Sequence, residues 1–214
     1  MRPIKLGPYS PITALTTAFN AQTFNSTGTA TAPTTTATTD GLAHQVTLTS
    51  PVQATLAGIT FTIVGTDNDG NPQTETGLVG PASNATVTST KYFRTVATIQ
   101  PSATMGALVV SVGIAAPSIT PSTVIEYRSI VAAMHDVDVT GTVNFTMRET
   151  FENVFNAQPS TLDWGAYTTA LASKTATTAA QGQVGAFACR LLINSVTNGA
   201  TITWRIIQPT QLTG

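Results

Sequence analysis

Charge is what this sequence has least of. Only 9% of its 214 residues are charged, against roughly 25% in an average soluble domain. Nine Lys and Arg face ten Asp and Glu, for a formal net charge of −1. That balance gives no basic field for nucleic acid, and no stripe of Lys or Arg interleaved with aromatics offers a local one. An apolar run of about 18 residues, the minimum for a membrane-crossing helix, is also missing. So is the continuous apolar segment near the start that would mark a secretory leader, and export by that route is not expected. The single Cys189 excludes an intrachain disulfide. Its setting, Phe187-Ala-Cys-Arg-Leu-Leu-Ile, places Phe187, Cys189, Leu191 and Ile193 on one strand face and reads as a buried, inert thiol. The only histidines, His44 and His135, are far apart, so no ligand pair for zinc exists.

Thr and Ala take the place of the missing Lys and Glu, and alternation is the dominant pattern. In Gly58–Gly65, Ile59, Phe61 and Ile63 alternate with Thr60 and Thr62, a period of two that puts the apolar groups on one strand face. Asp67-Asn68-Asp69-Gly70-Asn71-Pro72 follows, a turn by composition, with a return strand near Gln73–Thr76. Further strands are expected at His44–Thr49, Thr86–Ser89, Tyr92–Ile99 and Leu108–Gly113. Ala115–Ser122, with Pro117 and Pro121, reads as a domain boundary. Beyond it, Thr123–Ala133 is nearly continuously apolar. From Val137 to Arg148 a long half-buried strand is expected, with Val137, Val139, Val143, Phe145 and Met147 inward and Gly141 at a bulge or a close backbone contact. Ala186–Asn194 and Ala200–Gln208 read as a terminal hairpin across Thr197-Asn198-Gly199, because Asn-Gly is the strongest short hairpin signal. Trp204 alternates there with Ile202 and Ile206 and belongs to the core. Within Gln158–Gly185, the spacing of Trp164, Tyr167 and Leu171 admits a short helix near Leu162–Ser173, and the Ala/Thr-rich remainder, Ser173–Gln181, reads equally as a projecting loop.

The first 40 residues look different. Pro3, Pro8 and Pro11 oppose helix and central strand, yet Ile4, Leu6, Tyr9, Ile12, Phe19 and Phe24 need a surface to cover. An extended arm on a neighbouring subunit satisfies both facts, and so does an arm folded back on its own domain. Ser26–Asp40, rich in Thr, Ala and Gly, reads as a flexible linker. The expected organisation is therefore all-β: an extended N-terminal arm and linker over 1–40, then two antiparallel lobes of sandwich or jelly-roll type, 41–116 and 117–214.

Chemical motifs are scarce. The Asp67–Asn71 run has the oxygen density of a calcium loop without the EF-hand spacing, and a hairpin turn needs the same residues. His135 and Asp136 are adjacent on a strand, so they face opposite ways and cannot form a triad pair. Glu149 and Glu152 would align as acid and base only on a helix, where the sequence reads as strand or turn. No catalytic residue, cofactor or metal is assigned.

The run from Gly58 through Glu75 resembles the β-hairpin repeats common in virion structural proteins of tailed bacteriophages. Gly80-Pro81, Thr88–Val96 and Val112-Gly113 share that resemblance, and Leu191–Gln208 is similar to the C-terminal hairpin of the same kind of protein. The resemblance implies a non-enzymatic virion component made in the bacterial host cytoplasm, most readily a head decoration (cement) protein. Its partners would be the major capsid protein or tail proteins, with a homo-oligomer, a trimer first, as the expected state. A tail, neck or baseplate ring component is the alternative. A receptor- or glycan-binding β module, with Trp164 and Tyr167 as stacking residues, is a third. Neither nucleic acid nor membrane is expected as a partner. The interface candidates are Ile4, Leu6, Tyr9, Ile12, Phe19, Phe24, Trp164 and Tyr167.

Overall fold

Alternating Thr with Val, Ile and Phe makes half-buried strands, and antiparallel strands are what form. The computed structural model describes residues 2–19, 21–23, 31–50, 55–105, 109–125, 132–155 and 162–208. Two compact units emerge: a terminal unit of Met1–Thr13 with Ile119–Gly214, and a central unit of Ala14–Ser118. Strand β1 (Arg2–Tyr9) belongs to the terminal unit. The central unit holds β2 (Ala21–Thr23), β3 (Ala43–Thr49), β4 (Thr60–Thr66), β5 (Pro72–Val79), β6 (Thr86–Phe93), β7 (Thr95–Pro101) and β8 (Val109–Ile119). The terminal unit continues with β9 (Thr123–Val124), β10 (Met134–Thr140), β11 (Val143–Thr150), β12 (Thr178–Gln181), β13 (Ala188–Val196) and β14 (Thr201–Gln208). Among the described residues, the one helical element is a single 3-10 turn, Thr169–Leu171.

In the central unit, β4 and β5 form the expected hairpin, and β7 pairs with the other edge of β4. Phe61 and Ile63 point into the core with Phe93, Val96 and Ile99. The turn is held by the buried Asp67, whose carboxylate accepts the Asp69 and Asn71 N–H groups at 2.9 Å each. A second layer runs β8-β3-β6, with β2 on β8. The stretch read as a linker is docked over 31–40: Thr31 and Ala37 bridge to Ile99 and Thr95 of β7. Asp40 ends it by accepting the Leu42 N–H and meeting Nε2 of the fully buried His44 at 2.9 Å. Nδ1 of His44 donates to the Ala115 carbonyl at 3.0 Å. Ala115–Ile119 continues β8 as strand, and the division between the units falls at its end.

The terminal unit has a four-stranded sheet, β1-β14-β10-β12, and an antiparallel set in which β13 pairs with β11 and β9. Two sequence expectations change here. The long strand over 137–148 is two strands, β10 and β11, in different sheets. The break falls at Gly141, whose backbone has φ +78°, and a Cβ there would lie 2.9 Å from Cβ of Ala200. For the same reason Thr197-Asn198-Gly199 closes no hairpin: β13 and β14 also lie in different sheets, and Thr197 N–H instead donates to the Thr142 carbonyl at 2.9 Å. The two bends stack as a pair of arches joining the sheets. Over residues 2–9 the chain lies on its own unit as the edge strand β1, with Ile4, Leu6 and Tyr9 paired to Ile206, Trp204 and Ile202. Edge strands tolerate prolines, which reconciles Pro3 and Pro8 with strand structure.

The Asp40–His44 contact carries the first prediction. Asp40→Ala removes the only side-chain partner of a buried imidazole nitrogen, so urea denaturation should report a loss of about 3 kcal/mol. A loss under about 0.5 kcal/mol would mean that the contact does not hold the 31–40 segment in place.

Candidate functional site

The polar side chains that converge most closely lie inside the terminal unit. Trp204, fully buried on β14, donates its indole N–H to Nδ1 of His135 on β10 at 3.3 Å, with the rings 5.7 Å apart. With Nδ1 accepting, the neutral ring carries its proton on Nε2. That Nε2–H is buried and has no hydrogen-bond partner among the described residues. Glu149, also fully buried, reaches the same place from β11. Its Oε1 accepts the Gln183 N–H and its Oε2 the Thr168 hydroxyl, each at 2.8 Å. Gly182 lies between the two side chains. A Cβ at that position would stand 2.6 Å from Nε2 of His135 and 2.7 Å from Oε1 of Glu149, so only glycine fits.

The site is sealed, and the seal sets its chemistry. Burial pushes His135 down to about 4. Burial also pushes the Cys189 thiol well above its ordinary range, and the Glu149 charge adds to the shift. Cys189 therefore stays a thiol, donating weakly to the Thr123 carbonyl, and is no nucleophile. Asp136 turns to the opposite face from His135, as strand alternation requires. There it and Asp138 grip Arg205 and hold its guanidinium charged. Glu152 is exposed beyond β11 and accepts the Asp163 N–H, so Glu149 and Glu152 do not share a site.

Four exposed apolar side chains lie on the segments that leave this knot. Phe151, Phe155, Tyr167 and Val184 are 51%, 75%, 42% and 57% exposed. Phe151 meets Tyr167 edge-on at 5.3 Å, and Phe155 meets Phe187 edge-on at 5.8 Å. Chain connectivity brings Phe151 to Tyr167: Phe151 follows β11, and Gly165 bridges to Glu149. The Phe187 N–H donates to the Thr150 carbonyl. Trp164 and Phe187 lie beneath, packed with Ala188, Val124, Val154 and Leu162.

The interface candidates scatter. Ile4, Leu6 and Tyr9 are half-buried on β1, and Ile12 is half-buried after it. Phe19 is in the core of the central unit, and Phe24 lies outside the described residues. Trp164 is buried, with the Arg190 guanidinium 4.0 Å from its ring centroid and its carbonyl bonded to Arg148, so that face of the ring is taken. Of the pair, Tyr167 alone stays exposed. Residues 162–173 hold no α-helix. The sequence reading missed Glu149 as a buried group, although the inward series Val143, Phe145, Met147 reaches it two residues on. It gave no sign of Gly182. Among the described residues, no group of three or more His, Cys, Asp or Glu could hold a metal. Comparison with family models, curated proteins and solved structures finds no match.

The His135 shift makes stability depend on pH. The folded ring stays neutral down to about pH 4, while the unfolded ring takes a proton below its ordinary 6.5. This contribution is complete above pH 6.5 and is lost as pH falls from 6.5 through 4, by about 3 kcal/mol in total. Urea denaturation across that window should follow the decline in the wild type and give a flatter profile for His135→Gln. Equal slopes in both proteins would remove His135 as the cause.

Proposed function

We propose that this chain is a non-enzymatic structural subunit of a tailed-bacteriophage particle. Its place is on the head, as a decoration protein seated on the major capsid protein through the Phe151–Phe155–Tyr167–Val184 surface. The observation that carries the reading is that exposed ring cluster, on a chain whose surface has few charges to keep neighbours apart. Aromatic side chains in the centre of a contact supply most of its affinity, and burying one Phe fully is worth roughly 1.5–3 kcal/mol. A few such rings make a modest single contact after association costs. Repetition around a symmetric shell turns modest contacts into durable binding. The hairpin sequence that resembles virion proteins supports the same class of role.

Phe155→Ser should leave folding intact, because the ring is mostly exposed, and weaken binding to purified heads at least tenfold, or about 1.4 kcal/mol. Full occupancy of heads by the variant would refute this surface as the seat. Native mass by light scattering separates the positions: a trimer fits three-fold sites on a head, while a hexamer or larger ring would transfer the chain to the tail or neck.

A further inference from the structure

Beside the knot, the outermost strand of the four-stranded sheet is also its shortest. β12 pairs with β10 over four residues, Thr178–Gln181 against Val137–Met134. Its continuation crosses the knot and is fastened at two points. Gly182 N–H donates to the Ala133 carbonyl at 2.9 Å, and Gln183 N–H donates to Oε1 of Glu149 at 2.8 Å. The Gln183 side-chain amide then reaches the Tyr167 carbonyl at 3.3 Å, and Val184 stands in the exposed surface.

We propose that residues 178–184 are an acid-released strap, closed while His135 is neutral and let go when the ring takes a second proton. The argument is one of hydrogen-bond capacity. An imidazolium has two donors and no acceptor. Protonated at Nδ1, it can no longer accept the Trp204 N–H, and at Nε2 it faces the α-carbon of Gly182. A buried charge must then find an acceptor or water. The groups around it are few. β11 contributes Glu149, which has Cys189 of β13 beside it, while β12 has no titratable side chain. β14 presents Ile206 and Trp204 on this face. Asp136, Asp138 and Arg205 occupy the far face of the sheet. If Glu149 swings toward the ring, it drops the Gln183 N–H, one of the strap's two fastenings. If water enters instead, Gly182 must lift, which breaks the other. Either response opens the strap, and the four-residue pairing of β12 is the weakest hold around the site. Burial sets the trigger low, with His135 at about 4. Because the Gln183 amide bonds the Tyr167 carbonyl, release disturbs the exposed Phe151–Tyr167 pair; only that consequence for docking rests on the assembly role.

Amide hydrogen exchange on the full-length protein tests the strap independently of any particle. Between pH 7 and about pH 4.5, after correction for intrinsic rates, the amides of 179–183 should lose roughly tenfold or more of their protection and exchange ahead of β13 and β14, whose protection falls only as far as global stability does. His135→Gln does not titrate and should abolish the response. Gly182→Ala, whose methyl would meet both Nε2 and Oε1, should exchange fast across the strap already at pH 7. The proposal is overturned by unchanged strap protection at acid pH, by strap amides that exchange no faster than those of β13 and β14 there, or by an acid response that persists in His135→Gln. Wild-type protection at neutral pH in Gly182→Ala would overturn it as well, and this variant decides the matter if His135→Gln fails to fold.

Discussion

A buried indole N–H must find an acceptor, and much of the terminal unit's polar interior follows from the one that Trp204 finds. By donating to Nδ1 of His135 it fixes the tautomer and turns an N–H toward Gly182. That close approach demands glycine at 182, and the glycine lets the following residue bring its own N–H to Glu149. Glu149 in turn raises the neighbouring Cys189 further from ionisation and holds Thr168, so the segment carrying Tyr167 is positioned by the same carboxylate. Four segments distant in sequence are thus tied to one ring. A ring so placed cannot be charged without undoing part of the arrangement.

Acidic side chains do comparable work elsewhere, which gives the low charge content a structural meaning. Among the described residues, at least five of the chain's ten acids accept backbone N–H groups at turns and seams. Asp67 closes the β4–β5 turn, and Asp40 caps the segment before β3. Glu75 receives Thr90 and Lys91, Glu149 receives Gln183, and Glu152 receives Asp163. Asp136 and Asp138 are engaged by Arg205. Carboxylates engaged by backbone N–H groups and by Arg205 leave few free charges on the surface, and a surface of that kind repels a neighbour weakly.

How much of this was legible depends on range. Strands written in local alternation were readable: Phe61 and Ile63 inward on β4, Trp204 between Ile202 and Ile206 on β14. The Asp67–Asn71 turn was readable because its chemistry is local. Whatever depended on which strands become neighbours was not. The Asn198-Gly199 turn has the composition of a hairpin but serves as an arch, because Gly141 beside Ala200 bends a second chain segment at the same corner. β1 carries the prolines of a free arm, yet an edge position accepts them. The knot joins residues 135, 149, 182 and 204 through three pairings, and no spacing in the sequence encodes that meeting.

Strand edges are where β proteins associate by default, and this chain guards its own. The outer edge of β7 is covered by residues 31–37, and that of β11 by bridges from Gly165 and Lys174. β1 carries Pro3 and Pro8, and β12 is only four residues long. β5 and β6 meet through side chains rather than backbone. Glu75 takes two N–H groups of β6, the Gln73 amide donates to Tyr92, and Lys91 reaches the Thr74 carbonyl. With those edges covered, broken or short, strand addition is a poor route to assembly. Association is left to side-chain surfaces, and among the described residues Phe151, Phe155, Tyr167 and Val184 are the exposed apolar group gathered around ring contacts. A contact made by rings on a loop can be remodelled by moving the loop, which paired backbone would resist. That difference is why the strap beneath those rings matters to whatever they hold.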